Sequence, residues 1–283
     1  MISTSLQKEG VSMLTPRDES IVRKAVEIVE NAKKKNLILR IIGAIAVYLH
    51  IQDNPIALGF YTSQSRLGLA NIFTDIDLIA YSKQRKQLMK FFEEELKLRS
   101  NPRLNVIFGG KRLFYEDTSI NVKIDVFFDK LEFSHDVFFG REPSKGRLEL
   151  DYPTITPTDL LLEKLQIHNI NYKDIIDIIA LLTAHNIALE EVKNSINANY
   201  IAQLLSDDWG FWYDAITNLN KVVEVVQDLA SKEKIKQDIR DIVINNINEL
   251  IEVINKTPKT KNWEKRAKIG TAKPWYREVE EVF

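Results

Sequence analysis

The 283-residue chain contains no cysteine, which excludes disulfides, thiolate metal sites and cysteine nucleophiles. Its four histidines, His50, His135, His168 and His185, show no metal-ligand spacing. Neither sign of charge dominates: 39 Lys and Arg against 40 Asp and Glu leave a net charge of -1. No global field therefore marks the chain as a nucleic-acid or membrane binder, and any basic surface is local. Long apolar runs are missing too, since none approaches the roughly 18 to 20 residues that span a bilayer. The opening Met1–Gly10 has no apolar signal core, so the expectation is a cytoplasmic protein. The length suits two domains.

Against this background the stretch Phe73-Thr74-Asp75-Ile76-Asp77-Leu78-Ile79-Ala80-Tyr81 stands out. On a β-strand its spacing puts both carboxylates on one face, with Ile76 and Leu78 on the other. Two buried neighbouring acids repel unless a cation or a proton offsets them, which points to a hard divalent ion such as Mg²⁺. A half-exposed edge strand with its acids in water is the other reading. Asp125 repeats the anomaly, an acid inside the apolar run Asn121–Phe128. Leu37–Ile42 reads as a buried strand that stops at Gly43 and passes into a short helix, Ala44–His50. Such a turn aims backbone N–H groups and the positive end of a helix at an anion, usually phosphate; a purely steric use of the glycine is the alternative.

The rest of the chain frames these signals. A helix is expected over 18–35, a hairpin or ordered loop with Arg66 and Gly68 over 52–72, and a helix over 83–97. Three alternating segments follow, around Leu104–Phe108, Arg112–Tyr115 and Asn121–Phe128, with Gly109-Gly110 read as a hairpin turn. Thr156-Pro157-Thr158-Asp159 is a helix start, a capping threonine with proline in the first turn. The helix it opens carries Lys164 and His168, and the next, Tyr172–Leu182, carries Asp174 and Asp177. Two long helices, Trp209–Ala230 and Glu233–Ile254, suggest an antiparallel pair whose stripes are Ile216, Leu219, Val223 and Val226 against Ile239, Val243, Ile247, Leu250 and Ile254. The predicted fold class is α/β (α+β): a mixed sheet domain over 1–150, an all-helical bundle over 151–256, and over 257–283 a strap or tail whose Trp263 and Trp275-Tyr276 dock on the bundle, with a nucleic-acid arm as the other reading.

In their order, the turn at Gly43, the pair Asp75 and Asp77 and the later acid Asp125 resemble the nucleotidyltransferase superfamily with its polymerase beta-like fold. The helical half resembles the group that includes the AbiEii toxins, through Lys164 on one helix and Lys173-Asp174 with Asp177 on the next. The resemblance covers about 37–182. The chain departs from the family in three places. Gly43-Ala44 stands where Gly-Gly or Gly-Ser is usual, and the separation from Gly43 to Asp75 is long. Asn71-Ile72-Phe73-Thr74 replaces an arginine that relatives often carry ahead of the acids, a role not given to Arg66.

The resemblance implies transfer of a nucleoside monophosphate from a nucleoside triphosphate to an acceptor hydroxyl, with release of pyrophosphate. Two Mg²⁺ or Mn²⁺ ions, roughly 3.5 to 4 Å apart, would be held by Asp75, Asp77 and Asp125. The amides of Gly43 and Ala44, with Lys164, would take the triphosphate. Asp174 would orient Lys164 or contact the acceptor, with a surface salt bridge as its plainer use. RNA (tRNA included), a protein side chain and a small molecule are the candidate acceptors, and an antitoxin-like protein partner follows from the likeness to toxins. Two other functions share parts of the pattern: an inactive nucleotide- or partner-binding protein of this fold, and a nucleotide-sugar glycosyltransferase, which needs neither the Gly43 turn nor Asp125. A haloacid dehalogenase-type phosphatase is disfavoured, because Leu78-Ile79-Ala80 stands where a threonine is needed.

Overall fold

Thr15 opens the first helix, α1 (Pro16–Lys34): its hydroxyl accepts the N–H of Asp18, Pro16 lies in the first turn, and Lys33 and Lys34 close the last. In this computed structural model, which describes residues 14–64 and 71–278, the stripe Ile21, Ala25, Ile28, Val29 and Ala32 of α1 is buried. It packs on β1 (Leu39–Ile41), which is followed by α2 (Gly43–Ile51), α3 (Pro55–Ser63) and β2 (Asp75–Ala80). Arg66 and Gly68 lie outside the described residues. From β2 the chain runs through α4 (Arg85–Lys90), a π-helical turn (Phe91–Glu95), β3 (Arg99–Ser100), α5 (Pro102–Phe108) and β4 (Arg112–Asp117) to β5 (Val122–Phe128). The five strands form one mixed sheet in the order β1-β2-β5-β4-β3. Only β2 and β5 pair in parallel within it, so the long intervening excursion is the crossover that parallel neighbours require.

Three sequence expectations fail in this half. Where a hairpin or ordered loop is expected, the described residues 55–63 form a helix: the Asn54 side chain accepts the N–H groups of Ile56 and Ala57 and Pro55 starts α3. The alternating segment Leu104–Phe108 is helical for the same reason, with Asn101 capping Leu104 and Pro102 in the first turn. Gly109-Gly110 then links a helix to β4 and makes no hairpin. The helix expected over 83–97 is present as one continuous run of a 3-10 turn (Ser82–Gln84), α4 and the π-helical turn, with Leu88 and Phe92 buried.

Beyond a short hairpin of β6 (Lys130–Glu132) and β7 (Asp136–Phe138), the chain becomes helical. All nine residues of α6 (Pro157–Leu165) are buried, and α7 (Tyr172–Ala184) packs on α2, α3 and α6. A two-residue pair, β8 (Ile187–Ala188) with β9 (Ile196–Asn197), precedes α8 (Ala198–Asp207), α9 (Trp209–Ser231), α10 (Gln237–Lys256) and α11 (Lys261–Ala267). The stripe of α10 is buried at Ile239, Val243, Ile247, Leu250 and Ile254, as its periodicity predicts. On α9 the stripe is rotated, with Val222 fully buried and Val223 only partly, because α9 also meets α6, α7, α8 and α11. Among the described residues no helix is long and apolar enough to cross a membrane.

A buried pair of histidines joins the halves. His185, at the end of α7, lies edge-on to His50 with ring centroids 5.3 Å apart, and its Nδ1 is 2.9 Å from the Asn194 carbonyl. Burial and then His50 push His185 down to about 4, against the attraction of Asp151. The unfolded chain takes up this proton near pH 6.5 and the folded chain only near pH 4, so the stability contribution is complete above pH 6.5 and lost as pH falls through that window. The loss should reach about 3 kcal/mol. Urea unfolding at pH 7 and 4.5 should show a steeper decline in the wild type than in His185→Gln; equal declines would remove His185 as the cause.

Candidate functional site

Asp77 and Asp125 stand opposite each other in the parallel β2–β5 register. Neighbouring strands lie about 4.8 Å apart, and Asp75 is two residues, about 6.6 Å, along β2 on the same face. Asp75 is exposed while Asp77 and Asp125 are half-buried. Burial first, then the carboxylates of Asp75, Asp125 and Glu163, push the Asp77 carboxyl well above the usual range. Asp125 is also raised by burial, which outweighs its ion pair with Arg112. The Arg112 guanidinium lies over the rings of Phe114 and Phe127, 4.7 and 4.5 Å from their centroids. Asp125 is thereby turned to a cation on β4. Among the described residues no three acidic or imidazole side chains gather into a ready metal cage.

The loop leading into β2 is fixed from α1. The buried Asp18 carboxylate accepts the N–H groups of Ile72 and Phe73 at 3.1 Å each. Above β2, Gly43 adopts φ +68°, and a Cβ there would lie 3.0 Å from Asp77 Oδ2. The positive φ favours glycine, and a side chain there would also crowd the Asp77 carboxylate. The Gly43 N–H, however, donates to Glu163 Oε2 at 3.1 Å. The anion expected from a substrate at this amide is here a carboxylate of α6, 120 residues away. Ala44 follows in the first turn of α2, whose N–H groups have no intrahelical acceptor.

Lys164 is buried and surrounded: its ammonium lies 3.3 Å from Glu163, 3.4 Å from Asp174 and 3.2 Å from Asp177. Asp174 is not a surface salt bridge with Lys173, since it is buried and faces Lys164. Its second oxygen has no hydrogen-bond partner among the described residues. Burial raises Glu163 despite Lys164 and the Gly43 amide. One ammonium shared by three carboxylates leaves this buried group negative.

These residues meet in a cleft of about 570 Å³, lined by Gly43, Ala44, Asp75, Asp77, Glu163, Lys164, Lys173 and Asp174 and also by His168 and Tyr276. Asp125 does not line it. The volume is that of a small-molecule site. The chain is similar to the crystal structure of an antigenic nucleotidyltransferase-like protein from Paracoccidioides brasiliensis, at 14% identity over 79% of this chain and 95% of that one, with a TM-score of 0.41. No protein-family model matches the sequence, and no curated protein matches it.

Sequence reasoning missed five residues in and around the cleft. Glu163 carried a readable signal, an acid inside Leu160–Leu165 of the same kind as Asp125. Asp18 read as an ordinary first-turn acid. Arg112 and the pair of His168 with Tyr276 depend on pairings across the fold that no local pattern announces.

Proposed function

We propose that the chain is a metal-dependent nucleotidyltransferase, moving a nucleoside monophosphate from a nucleoside triphosphate to an acceptor hydroxyl with release of pyrophosphate. The observation that carries this reading is the convergence of Asp77 and Asp125 in register, Asp75 on the same face, and Gly43 directly over Asp77. A like-charge cluster raised by burial suits a divalent cation, and its oxygen donors suit Mg²⁺ or Mn²⁺. Asp75 and Asp77 would hold the metal, with Asp125 joining when Arg112 releases it. When bound, such ions supply charge neutralisation at the α-phosphate and on the departing pyrophosphate. The first turn of α2 offers Ala44 and its neighbours to phosphate oxygens. Lys173, exposed on the cleft, is better placed than the enclosed Lys164 to meet the triphosphate's charge. Lys164, oriented by Asp174, shapes the wall between sheet and helices.

A test is incubation with each labelled nucleoside triphosphate, Mg²⁺ and, in turn, total RNA, protein and small hydroxylated acceptors. Label should move to one acceptor class; none across the panel would end the enzymatic reading. The second reading, a nucleotide-binding protein without turnover, draws on Glu163 at the Gly43 amide, and would give binding of triphosphate without transfer.

Arg112 makes a separate expectation. A metal at ten times its Kd adds about 1.4 kcal/mol, or roughly 3 °C in a chain of this size. Millimolar Mg²⁺ or Mn²⁺ should raise the melting temperature of the wild type by that order. The rise should be larger in Arg112→Ala, where Asp125 is released. Absence of a shift in both proteins would count against a metal site here.

A further inference from the structure

We propose that Tyr276 is a stacking platform for the nucleobase of the triphosphate, an inference that rests on reading the cleft as a nucleotide site. The Tyr276 and His168 rings lie nearly parallel, 12° apart, with centroids separated by 3.5 Å. His168 cannot swing away: its Nδ1 is hydrogen-bonded to Asp214 at 2.9 Å and its backbone N–H donates to Ser134 Oγ at 3.1 Å. The buried Asp214 also holds His135 at 2.8 Å and accepts the Trp275 indole N–H at 3.0 Å. Burial alone would raise Asp214, but these hydrogen bonds outweigh it and keep the carboxyl below its usual range.

The chain on either side of Tyr276 is pinned as well. The Trp275 carbonyl passes so close to Gly210 of α9 that a Cβ there would come within 2.5 Å of it. On the other side the Arg277 N–H donates to the Ser134 carbonyl at 3.0 Å, Arg277 Nε donates to the Phe133 carbonyl at 3.0 Å, and the guanidinium pairs with Asp136. A strap anchored this firmly nevertheless leaves the Tyr276 ring half-exposed on the cleft. One face lies on His168 and an edge meets Trp275, so a flat ligand in the cleft would meet the opposite face. A rigid aromatic face on the wall of a cleft that also holds carboxylates and a helix N-terminus suits a flat heteroaromatic ring, and stacking accepts any base.

Calorimetric titration of the full chain with each nucleoside triphosphate and with tripolyphosphate, all with Mg²⁺, tests this. Tyr276→Ala should bind triphosphates about 5- to 100-fold more weakly, bind tripolyphosphate as the wild type does, and be rescued by Tyr276→Phe. Equal or tighter triphosphate binding by Tyr276→Ala would overturn the platform while leaving the nucleotide site intact. An equal loss for tripolyphosphate would also overturn it, since the residue would then only be shaping the strap. Failure of the wild type to bind any triphosphate would remove the nucleotide site and the platform together.

Discussion

Asp77→Asn is expected to reduce nucleotidyl transfer at least about 1,000-fold while leaving the metal-free fold as stable as the wild type or more so. Both halves of this expectation come from one side chain. Asp77 is the carboxylate on which the raising effects converge, burial first and then Asp75, Asp125 and Glu163. Asparagine keeps its volume beneath Gly43, where the clearance is tight, but removes the charge a divalent ion needs. Relief of the repulsion should add about 1 kcal/mol to unfolding free energy. Asp75→Asn and Asp125→Asn should lose transfer similarly, and combining them should cost little more, because groups that act as a unit are not additive. Transfer rate and urea unfolding in EDTA, measured on the same preparations, check the pair of effects. Wild-type transfer by Asp77→Asn would refute the catalytic assignment.

Lys164→Met should destabilise the protein by about 3–5 kcal/mol, a larger effect than any change at the cleft surface. The sequence resemblance leads to the expectation of a lysine that reaches for triphosphate. In the fold its ammonium is committed to Glu163, Asp174 and Asp177, and Met would fill the space while stranding three buried acids. Adding Asp177→Asn to Lys164→Met should recover part of the loss, since residues in contact couple. A single-variant loss below about 1 kcal/mol, the scale of an exposed ion pair, would mean that the cluster is open to water.

The acids of β2 and β5 were legible because an acid inside an apolar strand breaks a pattern, and Gly43 because a strand stopped there and a helix began. The helices α3 and α5 show a different lesson. Asn54-Pro55 and Asn101-Pro102 carry the capping signal that was recognised at Thr156-Pro157. At α5 the alternation of Leu104, Val106 and Phe108 argued the other way, and the cap prevailed. Lys164, Asp174 and Asp177 were singled out by resemblance and not by pattern. Their mutual pairing follows from the packing of α6 on α7. Arg112 was not legible as the partner of Asp125: a cation in an alternating strand looks solvated until the neighbouring strand is known.

The apolar cluster that begins at Ile21 continues without a break to Ile254, and α2 and α3 rest on α7 within it. Swinging the sheet away from the helices would wet that surface at about 25 cal/mol per Å² and pull Glu163 off the Gly43 amide. A hinge between the halves is therefore costly for this molecule. Whatever the cleft admits meets walls whose spacing is set by that shared core.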